Sequence, residues 1–467
     1  MTEKFSSVSA KNINNISKKI VLIVATMGAF LTPFMGSAIN VALPTIGKEF
    51  SMSAIAMGWV ATSFLLAAAM SLVPLGRIAD IYGRKRVFLC GVIVFTAFSL
   101  LCGLANRTEV LIFARAVQGI GGAMMFGTGA AMLTSAYPPE ERGAVLGINV
   151  TAVYVGLVVG PFIGGLLTQY VGWRCIFFFT VPLGLLVIFS ILWKLKGDWA
   201  EASGERFDFV GSLIYGIALL AMMYGFSILP STLGTFLIFI GIACLVVFGF
   251  WELRVKSPVL DLHLFIHNRP FAFSNLAALL NYMATFAVGF LLSLYLQYIK
   301  GFTPRDAGLI LVIQPIVMAL LSPLAGRLSD RIEPRIIASI GMALTTLGMV
   351  PLILLNNSTN LLQVYASLVI LGLGFALFAS PNMNAVMSSV DRKFYGVASG
   401  TVGTMRLVGQ MFSMGLTMLI FALLIGRVQI APEYYALFVK SVKIIFMILC
   451  CLCFCGIFAS LARGKLR

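Results

Sequence analysis

The sequence predicts an all-α integral membrane protein with fourteen transmembrane helices, two six-helix bundles and an extra pair between them. Three observations predict it. Of 467 residues, 60% are hydrophobic and 11% charged, where a soluble chain carries about 25% charge. Apolar runs of roughly twenty residues recur from Val21 to Leu461, each long enough to cross ~30 Å of hydrocarbon. Finally, Gly76-Arg77-Ile78-Ala79-Asp80 after the second run returns as Gly326-Arg327-Leu328-Ser329-Asp330 after the tenth, 250 residues later.

Only helices and closed barrels satisfy their backbone in lipid. These runs are too long for barrel strands and do not alternate polar with apolar residues, so they are helices. The spans read 20–43, 53–75, 87–105, 110–134, 144–168 and 174–194, then 209–229 and 232–251. The last six read 271–299, 305–325, 336–355, 362–386, 397–425 and 441–462. A second repeat supports the duplication: Arg142-Gly143-Ala144-Val145-Leu146-Gly147 aligns with Tyr395-Gly396-Val397-Ala398-Ser399-Gly400. The expected organisation is an N-terminal bundle over 1–195, a linker carrying the extra pair over 196–268, and a C-terminal bundle over 269–467. Parallel repeats of this kind suit two bundles that rock about a site at their interface.

Lys and Arg set the orientation. One series of gaps, with both termini, holds Lys4, Lys11, Lys18, Lys19, Arg77, Arg84, Lys85, Arg86, Arg142, Lys194, Lys196 and Arg206. It continues with Arg254, Lys256, Arg269, Arg327, Arg331, Arg335, Arg392, Lys393, Arg463, Lys465 and Arg467. The other series holds only Lys48, Arg107, Arg174, Lys300, Arg305, Arg427, Lys440 and Lys443. The bias places both termini in the cytoplasm of a multi-pass cell-membrane protein. The polar amino terminus leads into a run with no A-x-A cleavage site, which reads as an uncleaved first helix.

The net charge of +16 does not point to nucleic acid, because the basic residues alternate between gaps and leave no aromatic, basic face free to bind a strand. Cys90, Cys102, Cys175, Cys244, Cys450, Cys451, Cys453 and Cys455 all fall in or beside apolar runs, unlike a secreted disulfide framework. The last four have no His or carboxylate beside them and read as small apolar residues; no metal and no cofactor is expected. No HExxH, GxSxG or GxxxxGK[ST] is present and no gap is long enough for a large soluble domain, so neither an enzyme nor an ATP-driven pump is expected.

Four motifs carry the functional reading. In Gly76-x-x-x-Asp80-x-x-Gly83-Arg84-Lys85-Arg86 the glycines permit a tight turn between antiparallel helices. Asp80 can pair with a nearby Arg or a helix amino end and act as a conformational latch, with Asp330 and Arg331 as its second-half counterparts. Gly156-x-x-x-Gly160-Pro161-x-x-Gly164-Gly165 gives the fifth span a smooth face for another helix and a proline bend. Arg115-x-x-Gln118-Gly119-x-Gly121-Gly122 places an arginine inside the fourth span, where it needs a partner, a wet cavity, or room to snorkel. Arg406, with Gln410 one turn on, poses the same question. Asn40, Trp59, Gln118, Asn149, Tyr154, Asn281, Tyr282, Gln314 and Asn384 either line a cavity or bond helices together.

These motifs resemble the major facilitator superfamily, and within it the fourteen-helix drug:proton antiporters. Gly76 to Arg86 is similar to the family's loop motif, Arg115 to Gly122 to its helix-four motif associated with proton transfer, and Gly156 to Gly165 to its antiport motif. Asn40-Val41-Ala42-Leu43-Pro44 resembles the end of the helix-one motif, and Ser399-Gly400 to Arg406 and Gln410 the helix-thirteen motif. The resemblance covers nearly the whole chain. It implies a major-facilitator fold with pseudo-two-fold symmetry and proton-coupled efflux of drugs or other amphipathic compounds by a monomer. The partners would be a small molecule, protons and the bilayer. Two departures stand out. Ile81 replaces an arginine of the loop motif, leaving Arg84 or Arg331 to pair with Asp80. Met35 replaces the helix-one acid, with Ser37 where Thr is usual. Every Asp and Glu lies in a gap or near a helix end, Glu109, Asp208 and Glu252 coming nearest to membrane depth. His263 and His267 fall in a gap. An interior with arginines and no acid also fits a carrier for an anionic or neutral metabolite.

Overall fold

The computed structural model of the chain describes residues 15–464, apart from 196, 201, 203, 256–257 and 392–394. Lys4, Lys11, Lys196, Lys256, Arg392, Lys393, Lys465 and Arg467, used above for orientation, lie outside the described residues. Every regular element among the described residues is helical, and 14 helices are long and apolar enough to cross a membrane. In chain order they are α1 (Asn15–Glu49), α2 (Ala54–Tyr82), α3 (Arg84–Gly103), α4 (Thr108–Ala136), α5 (Pro139–Tyr170), α6 (Arg174–Lys194), α7 (Phe209–Ile228) and α8 (Thr232–Glu252). There follow α9 (Arg269–Leu294, closing in a π turn), α10 (Pro304–Leu311 and Ile313–Arg331), α11 (Pro334–Ile353), α12 (Leu361–Ser388), α13 (Tyr395–Leu424) and α14 (Tyr435–Ala462). The even number returns the chain to the face on which it starts, here called the terminal face.

Polar residues begin these helices. Ser53, Asp208, Ser231 and Asn268 each accept a backbone N–H from the first turn of α2, α7, α8 and α9, satisfying donors that have no partner within the helix. The helices outrun the hydropathy spans at their wet ends. The expected turn beginning at Gly76 is instead helix as far as Tyr82, and the reversal is confined to Gly83, with φ +119°. Hydropathy reports where lipid ends, not where a helix does. Arg77 and Asp80 suit a helix in water, so only a residue tolerant of positive φ stops it.

The duplication is visible in the packing. In the first six helices α1 packs on α5, α2 and α3 on α4, and α3 on α6. The same pairings return as α9 on α13, α10 and α11 on α12, and α11 on α14. The halves meet where α2 crosses α13, α5 crosses α10 and α1 crosses α9. The extra pair packs on itself, and only α7 rests on α2 and α13, with the Tyr215 hydroxyl donating to Ala69 O. Helix α8 is outermost, and Phe236, Phe239, Val246 and Phe250 are exposed on it. In water such a surface would demand a partner; a bilayer supplies it. Helix α14 spreads its cysteines around the cylinder: Cys453 is buried against Met342, while Cys451 and Cys455 face outward.

A close seam runs along the α5 glycine face. A Cβ on Gly156 would lie 2.7 Å from Phe30 O, one on Gly160 1.9 Å from Ser37 Oγ, and one on Gly164 2.9 Å from Ala38 Cα, all on α1. Gly165 turns toward the other half, where its Cβ would lie 2.6 Å from Pro304 O, and a Cβ on Gly308 would lie 2.3 Å from Pro161 O. One helix therefore locks to α1 on one side and to α10 on the other through backbone contact. Gly160→Leu is expected to insert but to melt at a lower temperature in detergent, with overpacking costing about 1–3 kcal/mol. An unchanged melting temperature would contradict this seam.

Candidate functional site

Two places gather the residues singled out by sequence: the interface between the halves, and the loop region on the terminal face.

At the far face the interface is sealed. Ser293 Oγ donates to Asn40 O at 2.7 Å, Gln297 Nε2 to Val41 O at 2.9 Å, and Tyr298 Oη to Pro44 O at 3.4 Å, all from α9 to α1. Ala54 N donates to Val428 O, and Arg305 donates to the Tyr170 hydroxyl. Near mid-depth one bond crosses, from Ser322 Oγ on α10 to the Tyr154 hydroxyl on α5 at 3.0 Å. Closer to the terminal face no hydrogen bond joins the halves among the described residues, and Glu141, Arg142, Gly143, Ala144, Gly147 and Ile148 of α5 are exposed. The halves are zipped at one end and apart at the other.

Arg115 is 1% exposed, so it does not snorkel. Its Nε donates to Val60 O at 3.1 Å and its Nη1 to Gln118 Oε1 at 2.6 Å. Gln118 Nε2 then donates to Ser99 Oγ, and Ser99 to Phe95 O. The guanidinium also lies 4.6 Å from the Phe64 ring centroid. Gly119 makes this possible, since a Cβ there would sit 2.3 Å from Phe64 O: α4 approaches α2 closely enough for the arginine one turn earlier to reach Val60. A cation in lipid is held here by neutral dipoles and an aromatic face, with no carboxylate.

Arg406 is different. On α13, about 16 Å along the helix from Tyr395 at 1.5 Å per residue, it lies 4.2 Å from the Phe126 ring centroid of α4. Tyr282 of α9 packs on α13 one turn on, where a Cβ on Gly409 would lie 3.1 Å from the Tyr282 Cβ, and the Tyr282 ring meets Phe375 edge-on at 5.5 Å. Its Nε is enclosed without a hydrogen-bond partner.

The other cavity candidates scatter. Asn40 is 9% exposed at the far-face seal, and its Oδ1 has no partner. Asn149 is 9% exposed on α5. Trp59 leans on Tyr224 of α7 at 6.4 Å, which puts it beside the extra pair. Asn281 is fully buried with both amide atoms unpartnered. Gln314 and Gln410 are partly buried on α10 and α13. Asn384 stands away from the interface at the terminal face, donating to Ser329 Oγ at 2.7 Å and Asp330 Oδ1 at 3.0 Å; the polar residue bonds helices there. Met35 is fully buried, and Ser37 Oγ bonds to Pro33 O at 2.9 Å and to Gly156 O at 3.3 Å. The helix-one positions that depart from the family pattern therefore sit in packed protein.

On the terminal face Asp80 pairs with Arg84, at 2.8 Å to both Nε and Nη2, and Arg84 Nη1 reaches Ser135 Oγ on α4 at 2.6 Å. Arg84, not Arg331, thus makes the pairing left open by Ile81; Arg331 is exposed at the end of α10. The segment after α6 closes over this loop. Arg84 N donates to Trp199 O, Ala202 N to Asp80 O and Lys85 N to Asp198 Oδ1, while Arg77 pairs with Glu205 and Arg86 with Asp198. A Cβ on Gly83 would fall 2.3 Å from the Asp198 carboxylate. Gly76 has open space around it and makes no such demand. The segment's role was not legible in sequence, because its contacts form between residues more than a hundred positions apart.

Two carboxylates read as helix-boundary residues are also buried: Asp208 is 8% and Glu252 1% exposed. Asp208 accepts from Gly211 N at 2.9 Å and from the Trp251 indole at 3.0 Å. Glu252 Oε2 accepts from Leu260 N at 2.9 Å, and its Oε1 has no partner. A Cβ on Gly211 would lie 2.3 Å from Asp208 Oδ2 and 2.6 Å from Glu252 Oε1, so the two carboxylates converge on one point. Leu260, eight residues on, thus lies over the end of α8 against Glu252.

Arg115→Ala leaves Gln118 and Val60 O without their donor, a loss of about 1–3 kcal/mol. The expected outcome is a lower melting temperature and loss of coupled flux; wild-type values for both would reduce Arg115 to a bystander.

The sequence matches the family description Major Facilitator Superfamily over residues 25–250 and 274–465. It is 31% identical over 396 residues to the riboflavin transporter RibZ of Clostridioides difficile, covering 83% of this chain and 85% of that protein. It is 31% identical over 404 residues to the multidrug resistance protein Stp of Mycobacterium tuberculosis, covering 85% and 74%. The multidrug export protein EmrB of Haemophilus influenzae is 29% identical over 405 residues, covering 82% and 79%. Among solved structures, a bacterial homolog of the human lysosomal transporter Spinster, inward-facing and unoccupied, superposes with a TM-score of 0.70 at 17% identity, over 97% of this chain and 98% of that one. The Spinster homolog shares this fold, and the chain belongs to the Major Facilitator Superfamily.

Proposed function

We propose that the chain exports amphipathic, aromatic small molecules across the cell membrane by alternating access, driven by protons. The observation that carries this reading is the asymmetry of the interface, bonded from α9 to α1 at the far face and unbonded toward the terminal face. With the terminal face in the cytoplasm, as the positive-inside bias places it, this is a state that loads from the cytoplasm. The names of Stp and EmrB favour export of several compounds over uptake of one.

In this reading the chain works as a monomer, with bundles at 1–195 and 269–467 and the extra pair on the 196–268 linker. Gly76, Asp80, Gly83, Arg84 and Arg86 form the latch with the segment after α6, and Asp330 and Arg331 form its second-half counterpart. The α5 face of Gly156, Gly160, Pro161, Gly164 and Gly165 is the sliding seam, because it touches both halves. Arg115, Gln118 and Gly119 hold α2, α3 and α4 as one body. A second reading, a carrier for an anionic or neutral metabolite, is favoured by the interface carboxylates: none stands at mid-depth among the described residues. The name of RibZ also favours it.

Inside-out membrane vesicles energised with an acid-inside gradient test the reading with two dyes, ethidium and fluorescein. Accumulation of either that collapses with a protonophore and is absent from Asp80→Ala vesicles is the expected result. Accumulation of neither dye by correctly inserted protein would overturn it.

For the proton we assign Glu252 as the carrier of this acidic pair, since its buried Oε1 has no partner and converges with the Asp208 carboxylate on Gly211. The Trp251 indole reports on it directly. The expected outcome is a single pH transition in the emission difference between wild type and Trp251→Phe, lost in Glu252→Gln. A flat difference from about pH 5 to 9, above the ordinary carboxylate range, would exclude the pair.

A further inference from the structure

The two arginines well inside the spans, Arg115 and Arg406, are treated oppositely by their surroundings. Arg115 spends its donors on Val60 O and Gln118 and rests on Phe64. Arg406 has the aromatic face, Phe126 at 4.2 Å, but no hydrogen-bond partner for its Nε, and among the described residues no hydrogen bond or ion pair reaches its terminal nitrogens. It keeps some accessible surface, so the fork is not walled in. One turn on along the same helix Tyr282 packs close, since a Cβ on Gly409 would lie 3.1 Å from the Tyr282 Cβ. Every ion pair among the described residues, from Arg77–Glu205 to Arg174–Glu49, lies at one of the two faces, away from this depth. A guanidinium at mid-membrane without a counter-charge is costly unless something delivers one.

The surroundings also show what shape it would take. Gly403, one turn before Arg406, leaves Phe126 space to lie beneath the guanidinium; a Cβ there would come within 3.2 Å of that ring. Phe126 covers one face of the planar cation, and Tyr154 and Tyr282 stand on elements from opposite halves. Arginine binds carboxylates and sulfonates through two parallel N–H donors and stacks on flat rings.

We infer that Arg406 is the recognition point for the anionic group of a flat aromatic substrate, held between Phe126 of the first half and Tyr282 of the second. This rests on the reading of the interface as the transport route and assigns the charge that reading leaves open: an aromatic carboxylate, sulfonate or phenolate is taken, and a cation of the same shape is repelled. Because Arg406 belongs to one half and Phe126 and Tyr154 to the other, an anion here would bridge the two bodies that move apart. Substrate charge would thereby be read by the same contact that joins the halves.

Binding tests this independently of transport. Purified protein in nanodiscs is titrated against fluorescein, a flat anion, and ethidium, a flat cation, by fluorescence anisotropy. Wild type is expected to bind fluorescein more tightly than ethidium. Arg406→Gln should weaken fluorescein binding by about tenfold or more, the size of a lost charge-assisted hydrogen bond, and leave ethidium unchanged or tighter. Arg406→Lys, which keeps the charge without the planar fork, should fall between, and its melting temperature controls for folding. No fluorescein binding by wild type, or equal binding by wild type and Arg406→Gln, would overturn the inference whatever the vesicles show. Fluorescein binding that responds to Arg406 without energised accumulation would uphold this site and overturn the efflux reading alone.

Discussion

Inside the hydrocarbon no group can borrow a hydrogen bond from solvent, and the rest of this molecule follows from that. The backbone must satisfy itself, which leaves helices. Charges must go to the ends or find partners among neighbours, which puts every ion pair among the described residues at a face. Helices cannot be driven together by exclusion of water, so they meet where small residues let backbones touch. The α5 face does this twice, against α1 and against α10, and so ties the order of one half to the position of the other.

The same constraint separates the residues that hold the protein together from those left open to a ligand. Arg115 is a complete local solution, a cation with its donors placed on neutral oxygens and its face on a ring. Arg406 is an incomplete one. Glu252 is incomplete in the opposite sense, a carboxylate with one oxygen unpaired beside another carboxylate. Interiors that can leave no polar group unmet make such orphans conspicuous.

The extra pair gains a position from the structure. It rests through α7 on the seam between α2 and α13, one helix from each half, and Phe226 of α7 meets Phe412 of α13. The segment that leads into it lies over the Asp80 loop. An insertion placed there touches both halves, and its leading segment the Asp80 loop.

The sequence by itself determined the helices, their number, the repeat and the family, because each is written in local composition or in a motif read along the chain. Hydrophobic length finds spans, glycine spacing finds the α5 seam, and a recurrent Gly-Arg-x-x-Asp finds the duplication. It also narrowed the partner of Asp80 to Arg84 or Arg331. Tertiary structure alone decided which buried polar groups are satisfied. That Asn384 serves the terminal-face loop, that Gln118 relays from Arg115 to Ser99, that Glu252 is shut away from water and that Arg406 faces Phe126 with no anion beside it are all matters of contact between distant segments. A linear pattern records which groups need partners; only the packing of helices from both halves determines which of them find one.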